Sequence, residues 1–504
     1  MNTKLENEET TSWWPLVAIV AAVSMLMMSA TIVTVALPDI QRELGAGLND
    51  LQWVVNSFTL AMAVFQLTAG SLGDRVGRRR MFLIGVLLFA ISSLACGIAP
   101  TSNTLIWARV VQGLAGAIMF ATTLALVAQC YRGQARGFAF GVRGAAAGVA
   151  VALGPLLGGV LVAGLSWRWV FFVNIPVALA TWGIAWAKLP RREELRKDKS
   201  LDIGGLLTLT AALVLLMFAL LRGEEYGWGS ARVLLMFGGA ALGLVLFLLI
   251  ESRHPSPMLE LSLFRRRTFS GTQLSTIATH GSFFALLVYL SLYFQDELGY
   301  SALQTGLCFL AVNVPILLAG PAAGAFMDRL PARVLPTAGL ALVGVGLIVL
   351  HGLTPSSTWT DLLAGMIIAG FGLGITLPAL GSLSMEVADG PRLGMAAGVN
   401  NTVSQTGMAM GIAIYGALLS HEIVSSMTRD LAGVPVPVAE LAGAASSGQL
   451  GHAAAGLPPA QQTLVLDAAH QGYVSGLNGL FFVVAGVAFV GALLTVLLVR
   501  APSR

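Results

Sequence analysis

The sequence predicts an all-α polytopic membrane protein: fourteen transmembrane helices arranged as two related six-helix halves with a two-helix insert. Three observations carry this. Apolar stretches long enough to cross a bilayer, which takes about 20 helical residues, recur along the chain. They fall near 14–36, 51–72, 81–99, 103–127, 138–163, 169–187, 203–221, 231–250, 269–294, 303–325, 334–352, 361–384, 394–419 and 474–498. Of the 504 residues, 56% are hydrophobic and only 11% charged, whereas a soluble domain carries roughly a quarter charged residues. Finally, the QRELG of Gln41–Gly45 returns as QDELG at Gln295–Gly299, and Asp74-Arg75 returns at the same offset as Asp328-Arg329. Two matches at one offset indicate an internal duplication, helices 1–6 and 9–14 being the copies.

The order of elements follows. A polar tail over 1–13 carries Glu6, Glu8 and Glu9 and lacks the basic region and cleavage site of a signal peptide, so the first apolar stretch is expected to remain as a span. The N-terminal half occupies 14–187, a charged cytoplasmic linker 188–202, and the two inserted helices 203–250. A second cytoplasmic linker covers 251–268, the C-terminal half 269–498 with an outer loop at 420–473, and a short tail 499–504. The outer loop is rich in Ala, Gly and Pro and helical around Pro459–His470; it is either a flap over the outer mouth or a disordered loop. Placing both ends in the cytoplasm puts most Lys and Arg in cytoplasmic loops and ends, with Arg42, Arg168, Arg222, Arg232 and Arg429 outside and Arg109 within helix 4.

That asymmetry accounts for a pI near 9.1 without nucleic acid, for which no aromatic-interleaved basic patch exists. Cys96, Cys130 and Cys308 have no C-x-x-C spacing, so neither a disulfide framework nor a metal site is expected. No cofactor is indicated. The few lysines complete no phosphate-binding loop, which excludes an ATP-binding domain. Six scattered histidines make no catalytic constellation, so the chain is not read as an enzyme.

The densest motif is G-S-L-G-D-R-V-G-R-R-R, Gly70–Arg80, pinned between two apolar stretches. Gly70, Gly73 and Gly77 permit close backbone approach and a tight turn. Asp74 can pair with arginines such as Arg75 and Arg78 or cap a neighbouring helix. This motif resembles the loop signature between helices 2 and 3 of the major facilitator superfamily; in the second copy Pro331 replaces the last glycine and only Arg329 and Arg333 remain basic. Arg109, followed three residues later by Gln112-Gly113, resembles the family's helix 4 motif, which implies a part in proton transfer or in orienting the central cavity. Taken alone, the residue can also snorkel to the outer interface. Gly154-Pro155-Leu-Leu-Gly158-Gly159 resembles the antiporter motif of helix 5, with Ala150 where that motif begins with glycine; it implies a bendable helix at the interface of the halves. Trp167–Pro176, Glu251–Phe269 and Asn400–Gly407 are similar to segments of the fourteen-helix drug:proton antiporter branch, the QacA and EmrB type.

The largest departure lies in helix 1. The branch reads L-D-x-T-I-V-N-V-A-L-P, whereas this chain has Ser29 in place of the aspartate and Thr34 in place of the asparagine. The residues left for proton coupling are Arg109, His280 and Asp39. His280 lies near the middle of helix 9 and titrates in the physiological range, or else is a neutral histidine bonded within the bundle. Candidate cavity residues are Ser29, Thr34, Met28, Phe58, Met62, Gln112, Gln273, Asn313 and Gln405. The apolar ones among them serve equally well as helix packing.

The resemblance implies a monomeric secondary transporter of the bacterial cytoplasmic membrane. It would export small hydrophobic or amphiphilic substrates, drugs and dyes among them, in exchange for protons and in contact with membrane lipids. The missing aspartate keeps a second expectation open: an exporter of lipid or another bulky endogenous amphiphile, with weak or different proton coupling.

Overall fold

The computed structural model describes residues 12–499 apart from 47, 192–201, 256, 258, 328, 387–392, 433, 435, 439, 442–443, 445–449, 451–453 and 455. The expected polar tail up to residue 11, most of the 188–202 linker, Asp328 of the second Asp-Arg pair and the tail from 500 lie outside the described residues.

The described chain is helical. α1 (Trp14–Leu44) carries Pro15 in its first turn, where its fixed φ fits, and stops at Gly45 in the left-handed conformation, φ 62°. α2 (Leu48–Val76) and α3 (Arg78–Gly97) are separated by Gly77 alone, whose φ of 110° L-residues rarely adopt. α4 (Ser102–Cys130) is capped by the Thr101 hydroxyl, which accepts from the Thr104 N–H. α5 (Gly133–Gly164), α6 (Trp169–Phe172) and α7 (Asn174–Lys188) complete the N-terminal group. α8 (Ile203–Tyr226) and α9 (Ala231–Arg253) pack on each other.

A short α10 (Ser262–Arg265) leads into α11 (Arg267–Thr279), a π-helical turn at His280–Phe284, α12 (Ala285–Leu292) and a second π-helical turn at Tyr293–Glu297. There follow α13 (Ala302–Cys308), with a Ser301/Gln304 capping box, α14 (Leu310–Phe326) and α15 (Val334–Val349). A 3₁₀ turn at Trp359–Leu362 enters α16 (Leu363–Glu386); α17 (Leu393–Asp430) and α18 (Pro459–Leu498) end the described chain. The 420–473 stretch is thus helical at both ends.

Among the described residues twelve helices are long and apolar enough to span a membrane, or thirteen if α5 is one span bent by 43° between Ala135–Val151 and Leu156–Gly164. The remaining apolar helix, α15, has only 16 residues, short of the usual length for a span. The expected count of fourteen is therefore not established, while a multi-pass membrane protein is.

Two large hydrophobic clusters divide the interior. One is built mainly around Phe58, Phe82, Phe89 and Tyr131 of the N-terminal group, the other around Phe283, Tyr293, Met366 and Phe481 of the C-terminal group. α9 lies outside both for most of its length: Leu234, Leu235, Leu242 and Val245 are exposed, as fits a helix that presents apolar side chains to lipid. α8 lies between α9 and the main bundle, against α2 and α17.

Candidate functional site

The site is the seam where the N-terminal and C-terminal helix groups meet. The start of α17 has N–H groups with no partner inside the helix. Two of them, on Gly394 and Met395, donate to the two carboxylate oxygens of Asp74, each at 2.7 Å. The same carboxylate accepts from Arg78 Nε at 3.2 Å and Nη2 at 2.9 Å. Asp74 ends α2 and Arg78 opens α3; the break at Gly77 folds one back on the other. The pair is buried, and charge-assisted bonds in such a place are stronger than neutral ones. Arg75 is buried beside them.

Glycines make this approach possible. A methyl at Gly70 would run into the Gly394 carbonyl, and one at Gly398 would meet the Leu67 Cα at 2.9 Å; Gly73 faces Thr122 at an ordinary 3.6 Å. A second bare seam joins α5 to α14. A methyl at Gly141 would lie 2.8 Å from the Gly320 carbonyl carbon, and one at Gly324 2.6 Å from that of Gly137. Sequence reasoning missed Gly394, Met395, Gly398, Gly137, Gly141, Gly320 and Gly324. The signal present was glycine repeating every fourth residue, in G-M-A-A-G and G-F-A-F-G, which puts glycines on one helical face.

The glycines of the Gly-Pro motif make their close contacts with α1. Gly154 and Gly158 pack against Thr31 and Ile32 of α1, inside the N-terminal group, and Gly159 has open space where a side chain would go. Pro155 falls in the break between the two straight parts of α5. The tightest contact between the helix groups on α5 is made nearer its start, at Gly137 and Gly141, while the glycines of the motif pack on α1 and this part of α5 also runs along α13.

Arg109 is fully buried and does not snorkel. Its Nε donates to the Val54 carbonyl (2.9 Å), and its Nη1 donates to Gln112 Oε1 (2.8 Å) and to the Ser29 carbonyl (3.4 Å). Gln112 Nε2 in turn donates to Ser93 Oγ (2.7 Å), and the guanidinium lies over the Phe58 ring at 4.3 Å. The structure thus brings together Ser29, Phe58, Arg109 and Gln112, with Met62 buried one turn beyond Phe58. Met28 is half-buried, and Thr34 is exposed with its hydroxyl on the Thr31 carbonyl. Asp39 does not join them: it pairs with the exposed Arg42 near the end of α1.

On the C-terminal side, His280 opens the first π-helical turn. Its Nδ1 lies 3.0 Å from the Thr276 carbonyl and its ring stacks on Phe284 at 5.0 Å. Such turns often mark functional positions. Gln273 Nε2 donates to Ser384 Oγ (3.3 Å), and Ser384 and Thr276 donate to Asn400 Oδ1. Asn313 Nδ2 reaches the Gly148 carbonyl of α5 (3.5 Å). Gln405 lines a cavity of about 190 Å³ with Thr59, Met217, Trp228, Tyr289 and Met408, bounded by α2, α8, α12 and α17. Among the described residues no three metal-ligating side chains converge.

A family model described as "Major Facilitator Superfamily" matches residues 17–412. The chain is 35% identical, over 82% of its length and 77% of the relative's, to the multidrug resistance protein Stp of Mycobacterium tuberculosis. It is 32% identical to the tetracenomycin C resistance and export protein of Streptomyces glaucescens, over 95% and 90%. In fold it is similar to the crystal structure of the human organic anion transporter MFSD10, with a TM-score of 0.62 at 14% identity, covering 96% of this chain and 99% of that one. A match spanning most of the chain, on a helical bundle whose groups meet at the Asp74 clamp, identifies it: the chain belongs to the major facilitator superfamily of transporters.

Proposed function

We propose that the protein exports small hydrophobic or amphiphilic compounds across a bacterial cytoplasmic membrane by alternating access, in exchange for protons. Both termini lie in the cytoplasm, and the monomer is the working unit. The observation that carries this reading is the Asp74 carboxylate spanning from α2 to the first turn of α17. It is a compact, charge-assisted latch at the arginine-rich end, beside Met395, Ala396 and Val399 of α17, which pack into the cluster of the N-terminal group. Release of Asp74 from the α17 N–H groups lets that end part, and re-formation closes it. The relatives named for multidrug resistance and for tetracenomycin C export supply the class of cargo. Arg109 with Gln112 and Ser29 sets the shape of the cavity wall in the N-terminal group, and His280 is the proton-carrying candidate.

The test is uptake into inside-out proteoliposomes with an acidic interior, using ethidium, the uncharged N-phenyl-1-naphthylamine and fluorescein. Uptake of any of these that needs the gradient and stops with an ionophore supports the reading; no uptake of any by folded protein overturns it. A second reading, export of lipid or another bulky amphiphile, draws on the apolar groove between α2, α4 and α8. It is lined by Trp53, Leu60, Phe65, Val214 and the exposed Trp107, and a cargo in the leaflet meets it from the side.

A further inference from the structure

Arg143 lies about eight residues inside the apolar part of α5, roughly 12 Å from its start at 1.5 Å per residue. It is only 9% exposed. Its Nε donates to Thr123 Oγ1 at 3.1 Å, and its guanidinium stacks over the Phe120 ring at 4.6 Å, both on α4. Its Nη2 is buried and has no hydrogen-bond partner among the described residues, and no carboxylate pairs with it there. An arginine at such depth is costly unless a partner or a cavity answers its charge, and an orphaned charged donor asks for an explanation.

Its surroundings place it on the seam. Asn401 of α17 reaches the Phe120 carbonyl (3.5 Å), and Phe140, one turn before Arg143, lies beside Gly381 of α16. Both helix groups therefore meet beside the Phe120 on which the guanidinium stacks. Among the described residues, the polar side chains that the C-terminal group buries next to Asn401 are neutral: Asn400, Ser384 and Gln273. Asp74 is already committed to Arg78 and α17. Glu386 lies more than a turn beyond Gly381, at the end of α16, and is exposed. On the facing wall, both side-chain atoms of Gln66 on α2 are buried without a partner, as is the hydroxyl of Thr402 on α17, one turn from the Gly398–Leu67 contact.

We infer that Arg143 is the recognition group of a cargo subsite for acidic amphiphiles: molecules with an apolar body and a carboxylate or phenolate that takes the open Nη2 when the helix groups part. Among the described residues no carboxylate pairs with this buried cation, so the complementary charge is left to the cargo. The Phe120 ring and the Thr123 hydroxyl hold the planar fork in place, and Arg presents it bidentately where Lys offers a point charge. This rests on the export reading and names the class of compound exported.

The test is equilibrium binding in neutral detergent, read by fluorescence, of three probes sharing one ring system: 1-pyrenebutyric acid, its primary amide, and 1-pyrenebutyl-trimethylammonium. A hydrogen bond to a charged group predicts that the wild type binds the acid roughly tenfold or more tighter than the amide, and the cation weakest. In Arg143→Gln the acid-to-amide ratio falls to within about twofold of one; in Arg143→Lys and Thr123→Val, milder changes if Arg143→Gln fails to fold, it falls part of the way. Equal binding of acid and amide by the wild type, or a ratio unchanged in Arg143→Lys and Thr123→Val, overturns the inference. Because binding needs no gradient, a preserved acid preference without dye uptake would remove the export reading alone.

Discussion

The Asp74 carboxylate on α2 caps α17 across 320 residues of sequence, its two oxygens each 2.7 Å from a backbone N–H of Gly394 or Met395. A side chain from one helix group thus completes a helix of the other. These bonds also join a negative charge to the positive end of a helix dipole, so closure and charge are tied at one carboxylate.

Asp74→Asn keeps the shape but removes the charge that faces Arg78 and the α17 terminus. Breaking a buried pair from one side costs about 3–5 kcal/mol. The expected result is loss of more than nine-tenths of gradient-driven dye uptake. Spin labels on α2 and α17 at the arginine-rich end should show a longer distance. Unchanged distances would remove Asp74 from the latch.

Gly70 and Gly73 belong to one motif and one helix but meet different neighbours. Gly70→Ala forces backbone against backbone at Gly394 and is expected to abolish most transport, the overlap costing about 1–3 kcal/mol. Gly73→Ala faces an ordinary contact with Thr122 and should leave transport within about twofold. Equal effects would show that the motif acts through something other than close packing.

Ser29 presents its carbonyl to Arg109 Nη1, while its own hydroxyl is buried without a partner. Ser29→Asp would put a carboxylate beside that guanidinium. Export of ethidium is expected to rise relative to fluorescein by severalfold, read as the ratio of initial rates in one vesicle preparation. A ratio that does not move would place Ser29 outside the cargo path.

At His280 the Nδ1–H donates to the Thr276 carbonyl, which leaves Nε2 with no hydrogen bond among the described residues and able to take a proton. His280→Ala should flatten the dependence of dye uptake on pH while retaining binding. A profile identical to the wild type would reduce His280 to a packing residue of the π-helical turn.

Much of this was legible in the sequence because the bilayer imposes length and polarity on every span. The Gly70–Arg80 turn stood out since its order of glycine, acid and arginine exceeds what a basic loop needs. The partners of that turn did not stand out: nothing in Leu393–Gly398 says that its backbone receives a carboxylate from α2, because a helix's free N–H groups look alike in every sequence. Arg143 falls by position with the loop arginines near the start of a span, and only the packing of Phe120 and Thr123 against it places it inside. The Gly-Pro motif was visible but not its neighbour, since spacing gives a helical face and not what lies opposite. Helix count suffers for a similar reason, α15 being apolar enough yet short.

The two glycine seams, Gly70 and Gly398 on one side and Gly137–Gly141 against Gly320–Gly324 on the other, bring main chain directly onto main chain. A joint closed by long side chains must freeze their rotamers each time it shuts and release them each time it opens, at up to about 2 kcal/mol per side chain. Bare backbone has no such freedom to lose. Shutting this end therefore carries little entropic penalty of its own, so the balance between the shut and parted forms is left to a handful of polar bonds that cargo and protons are able to tip.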